Sequence, residues 1–598
     1  MNTRRQFLIT AAIGGFAVAS CQREQPSTGS TAPTTPGAPP AFGTAAEVGP
    51  VVTAATFAEA EKLAQITMTT AERDLAVANW RRLMAMLVER RVGPRKLALE
   101  PELAPATQWD PRITAASTGP SADKFVRSDT NAAMPTSDAD IAFAPVAKLS
   151  RWIEKKALSS ERLTNIYLNR IAQYDGKLRS VITLTKETAL ARAKQADAEI
   201  AAGKYRGPLH GIPYGVKDLL DTAGIATTYG AEPFRNRVPS TDSVVVRRLN
   251  EAGAVMIAKL SLGALALNDI WFGGQTMNPW LLEEGASGSS CGPGAAMAAG
   301  LVGFSIGSET GGSIVSPTMR CGITGLRPTY GRVPRTGAMT LCWSLDKLGP
   351  MTRSVEDAML VLNAITGPDP GDLASVPSHL DFDAAASING LRVGYFPAWM
   401  KENPATDVDR AALDTLTRLG AQATAVSLPE WPYSSLMPVL FAEAAAAFED
   451  ITLNGAINSL KVQVPDAWPN LFRQARFLSA VDFVQADRFR RRVAQEMARI
   501  FSEVDVLLVP SLRDETLTIS NFTGHPSLTL RTGSVEVSEA RSDWAPDPNN
   551  PLPKFSPPRR VPHGVTLIGR LFDEGTIARA GLALERASGV ADERPSGF

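Results

Sequence analysis

Two serines stand 24 positions apart in glycine-rich surroundings: Ser289 in Ser287-Gly288-Ser289-Ser290-Cys291-Gly292, and Ser313 in Ser308-Glu309-Thr310-Gly311-Gly312-Ser313. Glycine beside a serine lets the backbone turn tightly and leaves nothing on Cα to obstruct a carbonyl approaching the hydroxyl. Successive N–H groups of Thr310, Gly311, Gly312 and Ser313 can then converge on a developing oxyanion, each well-placed donor contributing roughly 3 to 4 kcal/mol. In that loop Ser313 is the residue placed to attack.

A serine hydroxyl attacks only when something takes its proton, and the usual base is histidine. The chain has four, His210, His379, His525 and His563. Three adjoin glycine or proline, and neither serine sits in the Gly-x-Ser-x-Gly elbow that accompanies a catalytic histidine in α/β-hydrolases. The base is therefore expected elsewhere, and Lys217 is the candidate. It closes Gly211-Ile212-Pro213-Tyr214-Gly215-Val216-Lys217, which reads as a turn feeding a buried strand. A free lysine titrates near ~10.4, and acts as a base at neutral pH only where burial lowers that by roughly 3 units, at about 4 kcal/mol in the resting protein. Ile212, Val216 and Leu219 supply an apolar setting. Asp218 would undo it, but strand alternation predicts that it faces the other side.

These residues need a scaffold. Gly294 to Gly300 reads as a helix of small residues that can pack closely and aim its N-terminus at the serine loop. Short β-rich runs at 180–185, 254–259, 391–395 and 504–509 alternate with helical patterns, which predicts an α/β layered fold. Helices are expected over 147–156 and 161–175, with Ser159 and Ser160 as candidate N-caps. The main domain is read as 146–598. Ahead of it, 51–145 is a helical extension with two helices between 53 and 91, broken near 67–70, and an irregular connector from Pro94 to about Pro135. Within the connector, Ser121-Ala122-Asp123-Lys124 fits the Ser-x-x-Lys of penicillin-recognising enzymes but lacks its companion motifs.

The first 21 residues place Arg4-Arg5 before an apolar run from Ile9 to Ala19 and end in Val18-Ala19-Ser20-Cys21. The run is too short for a permanent membrane span; it resembles a twin-arginine signal with a lipoprotein cleavage site, which makes Cys21 the expected lipidation point. An ordinary cleaved signal, with Cys21 incidental, is the alternative. Residues 22–50, rich in Pro, Ser, Thr and Gly, read as a flexible tether. The expectation is an exported protein on the periplasmic face of a membrane, anchored by lipid. The balance of 61 basic and 61 acidic residues carries no polybasic field for nucleic acid, and a small neutral amide fits it better. Cys291, Cys321 and Cys342 are read as small buried residues, with one bridge among them as the alternative. No metal or cofactor is expected, and the oligomeric state is not legible.

The motifs together resemble the amidase signature family. Beyond the two serine segments and Lys217, the resemblance continues through Cys321-Gly322-Ile323-Thr324-Gly325-Leu326-Arg327-Pro328-Thr329 and Gly349-Pro350-Met351, and returns at 478–483 and 562–570. It implies an α/β/α sandwich around a mixed β-sheet. It also implies a Ser-cisSer-Lys triad, with Lys217 as base, Ser289 as bridge in a cis peptide and Ser313 as nucleophile, acting on a carboxamide through an acyl-enzyme. Ser290 and Glu309 are expected to stand behind these residues. The chain departs from the family at Ser287 and Cys291, at Ser308-Glu309 where a Thr-Asp pair is usual, and at Val315 in place of an arginine. Glu309 is expected to find another cation. Two alternatives are an inactive amidase-like binding lipoprotein and a protein like the glutamine amidotransferase A subunits.

Overall fold

Apolar residues at helical spacing near the N-terminus form three helices where two were expected, the second being interrupted at Met84: α1 (Ala54–Ala64), α2 (Thr70–Leu83) and α3 (Ala85–Val92). The expected break falls at Thr69. Its hydroxyl accepts the Glu72 N–H while the Glu72 carboxylate accepts the Thr69 N–H, a reciprocal cap that satisfies two orphan donors. The structure is a computed structural model describing residues 36–38, 44–64, 66–95, 110, 112 and 118–598. The signal-like segment with Cys21, and most of the tether, lie outside the described residues. Among the described residues no helix is long and apolar enough to cross a membrane.

The connector is not wholly irregular. Lys124–Val126 pairs in parallel with Asp381–Asp383. Phe125 packs on Phe382 at 5.1 Å, and Asp123 accepts the Leu380 N–H at 2.8 Å. Side-chain stacking and one carboxylate thus pin a stretch whose composition signalled only a loop. The Ser-x-x-Lys motif lies on this exposed lash, with Lys124 paired to Asp383.

Helices α4 (Val146–Glu154) and α5 (Ser160–Leu178) open the main body. Of the two candidate caps, Ser159 accepts the Arg162 N–H, while Ser160 turns inward and donates to the Gly211 carbonyl. Eleven strands then build one sheet: β1 (Val181–Leu184), β2 (Pro213–Lys217), β3 (Val255–Leu260), β4 (Phe304–Glu309), β5 (Thr324–Arg327), β6 (Lys347–Thr352), β7 (Arg392–Tyr395), β8 (Gln422–Ala425), β9 (Val506–Pro510), β10 (Ser527–Glu539) and β11 (Lys554–Gly569). Their order across the sheet is β8-β7-β9-β11-β10-β5-β6-β4-β2-β3-β1. The β4–β2–β3 and β9–β7–β8 groups run parallel and the remaining pairs antiparallel, so the sheet is mixed, as expected. Strands β2, β3 and β4 are buried along their whole length, which requires helices on both faces and makes an α/β/α sandwich.

Two short helices follow the serine segments, α6 (Cys291–Ala298) and α7 (Val315–Cys321). They pack so closely that a Cβ on Gly294 would lie 3.2 Å from the Pro317 side chain and 3.3 Å from Cys321 Sγ. Farther on, α8 (Trp468–Ala475) and α9 (Ala480–Glu503) belong to the face that receives the N-terminal helices. Phe57, Trp80 and Phe477 meet edge to face at 5.3 to 6.3 Å, contacts of about 0.5 to 1.5 kcal/mol each beyond burial. Buried Asn79 accepts from Gln474 and Asn470 beside them. Cys291, Cys321 and Cys342 are all buried and free, so the bridge considered among them does not form.

Candidate active site

Adjacent parallel strands place Lys217 and Ser308 side by side. Strand β2 pairs with β4 from Tyr214↔Phe304 to Val216↔Ile306, so the carboxyl ends of both strands open at the same edge, where ligands of α/β sheets bind. Lys217 is fully buried there. Its Nζ lies 2.7 Å from Ser289 Oγ, 3.0 Å from Ser290 Oγ, 2.9 Å from Ser308 Oγ and 3.4 Å from the Ser308 carbonyl. Burial brings its pKa down to about 7, against the weaker opposing pull of Cys291, Asp346 and Glu309.

Two other lysines are equally buried, and their partners separate them from Lys217. Lys259 lies 3.2 Å from Asp218 and donates to the Leu220 carbonyl and Thr227 hydroxyl. Asp218 therefore faces away from Lys217, as alternation along the strand predicts, and is occupied by Lys259 and Thr228. Lys347 reaches the Asn521 carbonyl and feels the Arg327 and Glu309 charges. Lys217 alone is ringed by hydroxyls, which can take and give protons.

The peptide bond between Gly288 and Ser289 is cis, as the resemblance implied. Ser313, partly exposed, lies in the turn between β4 and α7, and its carbonyl accepts the Ser290 N–H at 3.2 Å, which ties the two serine segments together. Ser290 also exchanges bonds with the Ser308 backbone at 3.1 and 3.2 Å. Gly312 has φ +131°, a conformation that L side chains rarely adopt, and a Cβ on Gly311 would meet nothing within 4 Å. The loop therefore presents a bare backbone to open space. Among the described residues the N–H groups of Gly311, Gly312 and Ser313 donate to no protein acceptor. The Thr310 hydroxyl donates to Asp346 at 2.6 Å, anchoring the start of the loop.

Glu309 has found its cation. It lies 2.6 Å from Arg327, with both side chains fully buried, and accepts from Asn521 at 2.8 Å. Its other oxygen accepts the Ile314 and Val315 N–H groups at 2.7 and 2.9 Å, capping α7 behind Ser313. Burial pushes this carboxyl up, and Arg327 with the Val315 N–H and Lys347 more than offsets it, leaving it below the usual range. Val315 joins Met319, Leu512 and Leu517 in a small apolar cluster.

The histidines are engaged elsewhere: His210 with Glu199, His379 with Asp123, His563 with Asp409, and His525 with Thr523. Burial lowers His525 to about 3. Sequence reasoning missed that Ser308 Oγ contacts Lys217 and that Arg327 holds Glu309. Both residues lie inside recognisable motifs, but their contacts cross from one strand to another. Beside Ser308 and Thr310 opens a cavity of about 280 Å³, lined in part by Leu219, Met339, Leu341, Trp343, Arg335 and Asp372.

Comparison with known proteins fits this geometry. A family model described as Amidase matches residues 162–577. Among glutamyl-tRNA(Gln) amidotransferase A subunits, that of Moorella thermoacetica is 35% identical over 486 residues, covering 75% of this chain and 97% of the relative. The peptide amidase of Stenotrophomonas maltophilia superposes with a TM-score of 0.64 at 29% identity, covering 76% of this chain and 98% of its own. A bacterial aryl acylamidase shares the fold at 22% identity, with a TM-score of 0.63 and coverage of 76% and 99%.

Proposed function

The chain belongs to the amidase family, whose members act on carbon–nitrogen bonds, and from that premise we propose that it hydrolyses an uncharged carboxamide, non-peptide or small peptide, through an acyl-enzyme on Ser313. The observation that carries the reading is Lys217: a buried amine, about half neutral at pH 7, whose hydrogen-bond partners among the described residues are all serine oxygens. Neutral Lys217 takes the Ser289 proton as Ser289 takes that of Ser313. Ser313 Oγ then bonds to the carbonyl carbon, and the negative charge on the carbonyl oxygen is met by N–H groups from the Gly311–Ser313 turn. Collapse breaks the C–N bond, and the proton returns along the same path to the leaving amine. Water, deprotonated by the same relay, hydrolyses the ester.

An uncharged substrate suits the neighbouring cavity, whose charged side chains already satisfy one another. Arg335 pairs with Asp372 at 2.8 Å, and Asp346 accepts from Thr310 and from the Leu341 and Cys342 N–H groups. The test is a library of amides and esters offered to the protein lacking residues 1–21, with Ser313→Ala as blank. Turnover by Ser313→Ala at the parental rate would sink the assignment.

The identity to amidotransferase A subunits supports a second reading, release of ammonia from glutamine. Ammonia release from free glutamine in preference to every other amide of the library would favour it. The inactive-scaffold reading predicts no fluorophosphonate labelling of Ser313 at all. We propose further that the protein is exported and lipid-anchored at Cys21, a reading supported by Arg4-Arg5 and the run into Cys21. Cys21→Ala should then shift the protein out of the membrane fraction.

A further inference from the structure

Beneath the Ser289 segment lies a buried charge cluster that the proton path does not use. Asp543 sits in the excursion between β10 and β11, far along the chain from both serines. Its Oδ2 accepts the Gly288 N–H at 2.7 Å and the Ser287 hydroxyl at 2.8 Å. Its Oδ1 accepts from Arg320 Nη2 at 3.2 Å. Arg320 belongs to α7, the helix that begins two residues after Ser313, and its Nη1 donates to the carbonyls of Gly285 at 3.1 Å and Arg541 at 3.0 Å. A single buried ion pair therefore grips the segment leading into Ser289 and the helix leading out of Ser313.

The backbone it grips does not hold its shape by itself. Ser287 has φ +64° and Asn268 φ +52°, left-handed conformations that cost a non-glycine residue about 1 to 2 kcal/mol each. Both are tied to Asp543, Ser287 through its hydroxyl and Asn268 through its amide, which donates to the Asp543 carbonyl at 3.2 Å. There is no slack between them, since a Cβ on Gly288 would lie 1.7 Å from the Asn268 carbonyl oxygen. Neighbouring Asp269 is also buried, and burial with the Asp543 charge beside it pushes its carboxyl up to about 7. Burial raises Asp543 as well, against the opposing pull of Arg320, the Ser287 hydroxyl and the Gly288 N–H.

We propose that Asp543, clamped by Arg320, is a positioning residue that fixes the Ser287–Gly288 backbone so that the Ser289 hydroxyl stays on Lys217 Nζ while Ser313 attacks. The inference rests on the reading of Ser289 as proton bridge. It makes the β10–β11 excursion part of the catalytic framework.

The test measures labelling of the full chain by an alkyl fluorophosphonate. In that reaction the Ser313 Oγ–P bond forms, the P–F bond breaks, fluoride leaves and the serine proton passes through Ser289 to Lys217. Asp543→Asn keeps the side-chain shape and removes the charge that clamps Arg320. The maximal labelling rate is expected to fall about tenfold or more, because small misplacements of reacting groups are costly. The half-saturating probe concentration should stay within about twofold, since Asp543 touches no substrate. Glu574→Gln breaks an equally buried pair, Glu574–Arg332, whose other partners are Thr329, His379 and Phe572 rather than any residue of the clamp, and should leave the maximal rate within about twofold of the parent. If Asp543→Asn does not fold, Ser287→Ala removes only one bond to Asp543 and should slow labelling by about threefold, the equivalent of one hydrogen bond. A folded Asp543→Asn or Ser287→Ala that labels at the parental rate overturns the proposal, and so does a Glu574→Gln slowed as much as Asp543→Asn. If Ser313→Ala labels like the parent, the nucleophile assignment fails instead. If Ser313→Ala is silent while Asp543→Asn is parental, only the positioning role falls.

Discussion

Replacing Lys217 with methionine should destroy activity and, at neutral pH, stabilise the fold. Burial lowers the lysine pKa from 10.5 to about 7, and a shift of that size corresponds to about 5 kcal/mol of folding free energy at pH 7. Methionine fills a similar volume without that cost. It leaves the Ser289, Ser290 and Ser308 hydroxyls short of one partner each, at about 1 kcal/mol apiece. The net expectation is a gain of about 2 kcal/mol at pH 7. The sign of its pH dependence follows from proton binding. Below pH 7 the lysine is protonated in both states, and its buried charge costs the parent in full. Between about 7 and 10.5 only the unfolded chain holds the extra proton, so the parent regains about 1.4 kcal/mol per pH unit. Above 10.5 the cost is gone. The advantage of Lys217→Met should therefore shrink as pH rises, cross zero near pH ~8.5 and reverse. Urea unfolding of parent and variant at intervals from pH 6 to 10 measures this, and subtracting the two removes the titration of all other groups. In parallel, kcat/KM of the parent should rise through pH ~7 as the base loses its proton. A stability difference flat with pH would refute the claim that Lys217 is buried near neutrality, and with it the base assignment.

Other perturbations read neighbouring parts of the site. Ser289→Ala interrupts the proton path and should slow fluorophosphonate labelling by about 10²- to 10⁴-fold, whereas Ser308→Ala removes one hydrogen bond to Lys217 and should cost no more than about tenfold. Arg327→Met strands the fully buried Glu309 carboxylate and should cost about 3 to 5 kcal/mol in urea unfolding, with much of it recovered by adding Glu309→Gln. Burial pushes the Cys291 thiol up to about 11 and raises Cys321 and Cys342 as well. Alkylation at pH 8 followed by peptide mass spectrometry should find these three unlabelled in the folded protein and all three labelled after unfolding, and rapid labelling of any in the folded state would contradict their burial.

How much of the site was legible in the sequence depended on the distance over which each residue acts. Ser289, Ser313 and the glycines around them announce themselves because a tight turn must be written in the residues that make it. Elimination of the histidines left the base open, and Lys217 was singled out by the turn-and-strand run before it together with the resemblance of the motifs to the amidase signature family. That Lys217, not Lys259 or Lys347, meets a ring of hydroxyls was not legible, because all three end up buried on one sheet and only their neighbours across it differ: Lys259 meets Asp218, and Lys347 meets the Asn521 carbonyl. The helices at 54–92 and the cap at Ser159 were readable from spacing and local hydrogen-bonding capacity. The strand at Lys124–Val126 was not, because its partner lies at Asp381–Asp383.

The sequence by itself, with the resemblance its motifs carry, determined the candidates: the Ser289 and Ser313 hydroxyls, the Lys217 amine, and the α/β alternation that must carry them. Only the tertiary structure decided what surrounds those residues. Strand register brings Ser308 onto Lys217, Arg327 neutralises Glu309 behind Ser313, and Arg320 with Asp543 binds the segment before Ser289 to the helix after Ser313. The physical reason is that a turn or a cap is a short-range property of the backbone. A buried charge survives only where a counter-charge arrives, and here the counter-charges come from segments 18 and 223 residues away.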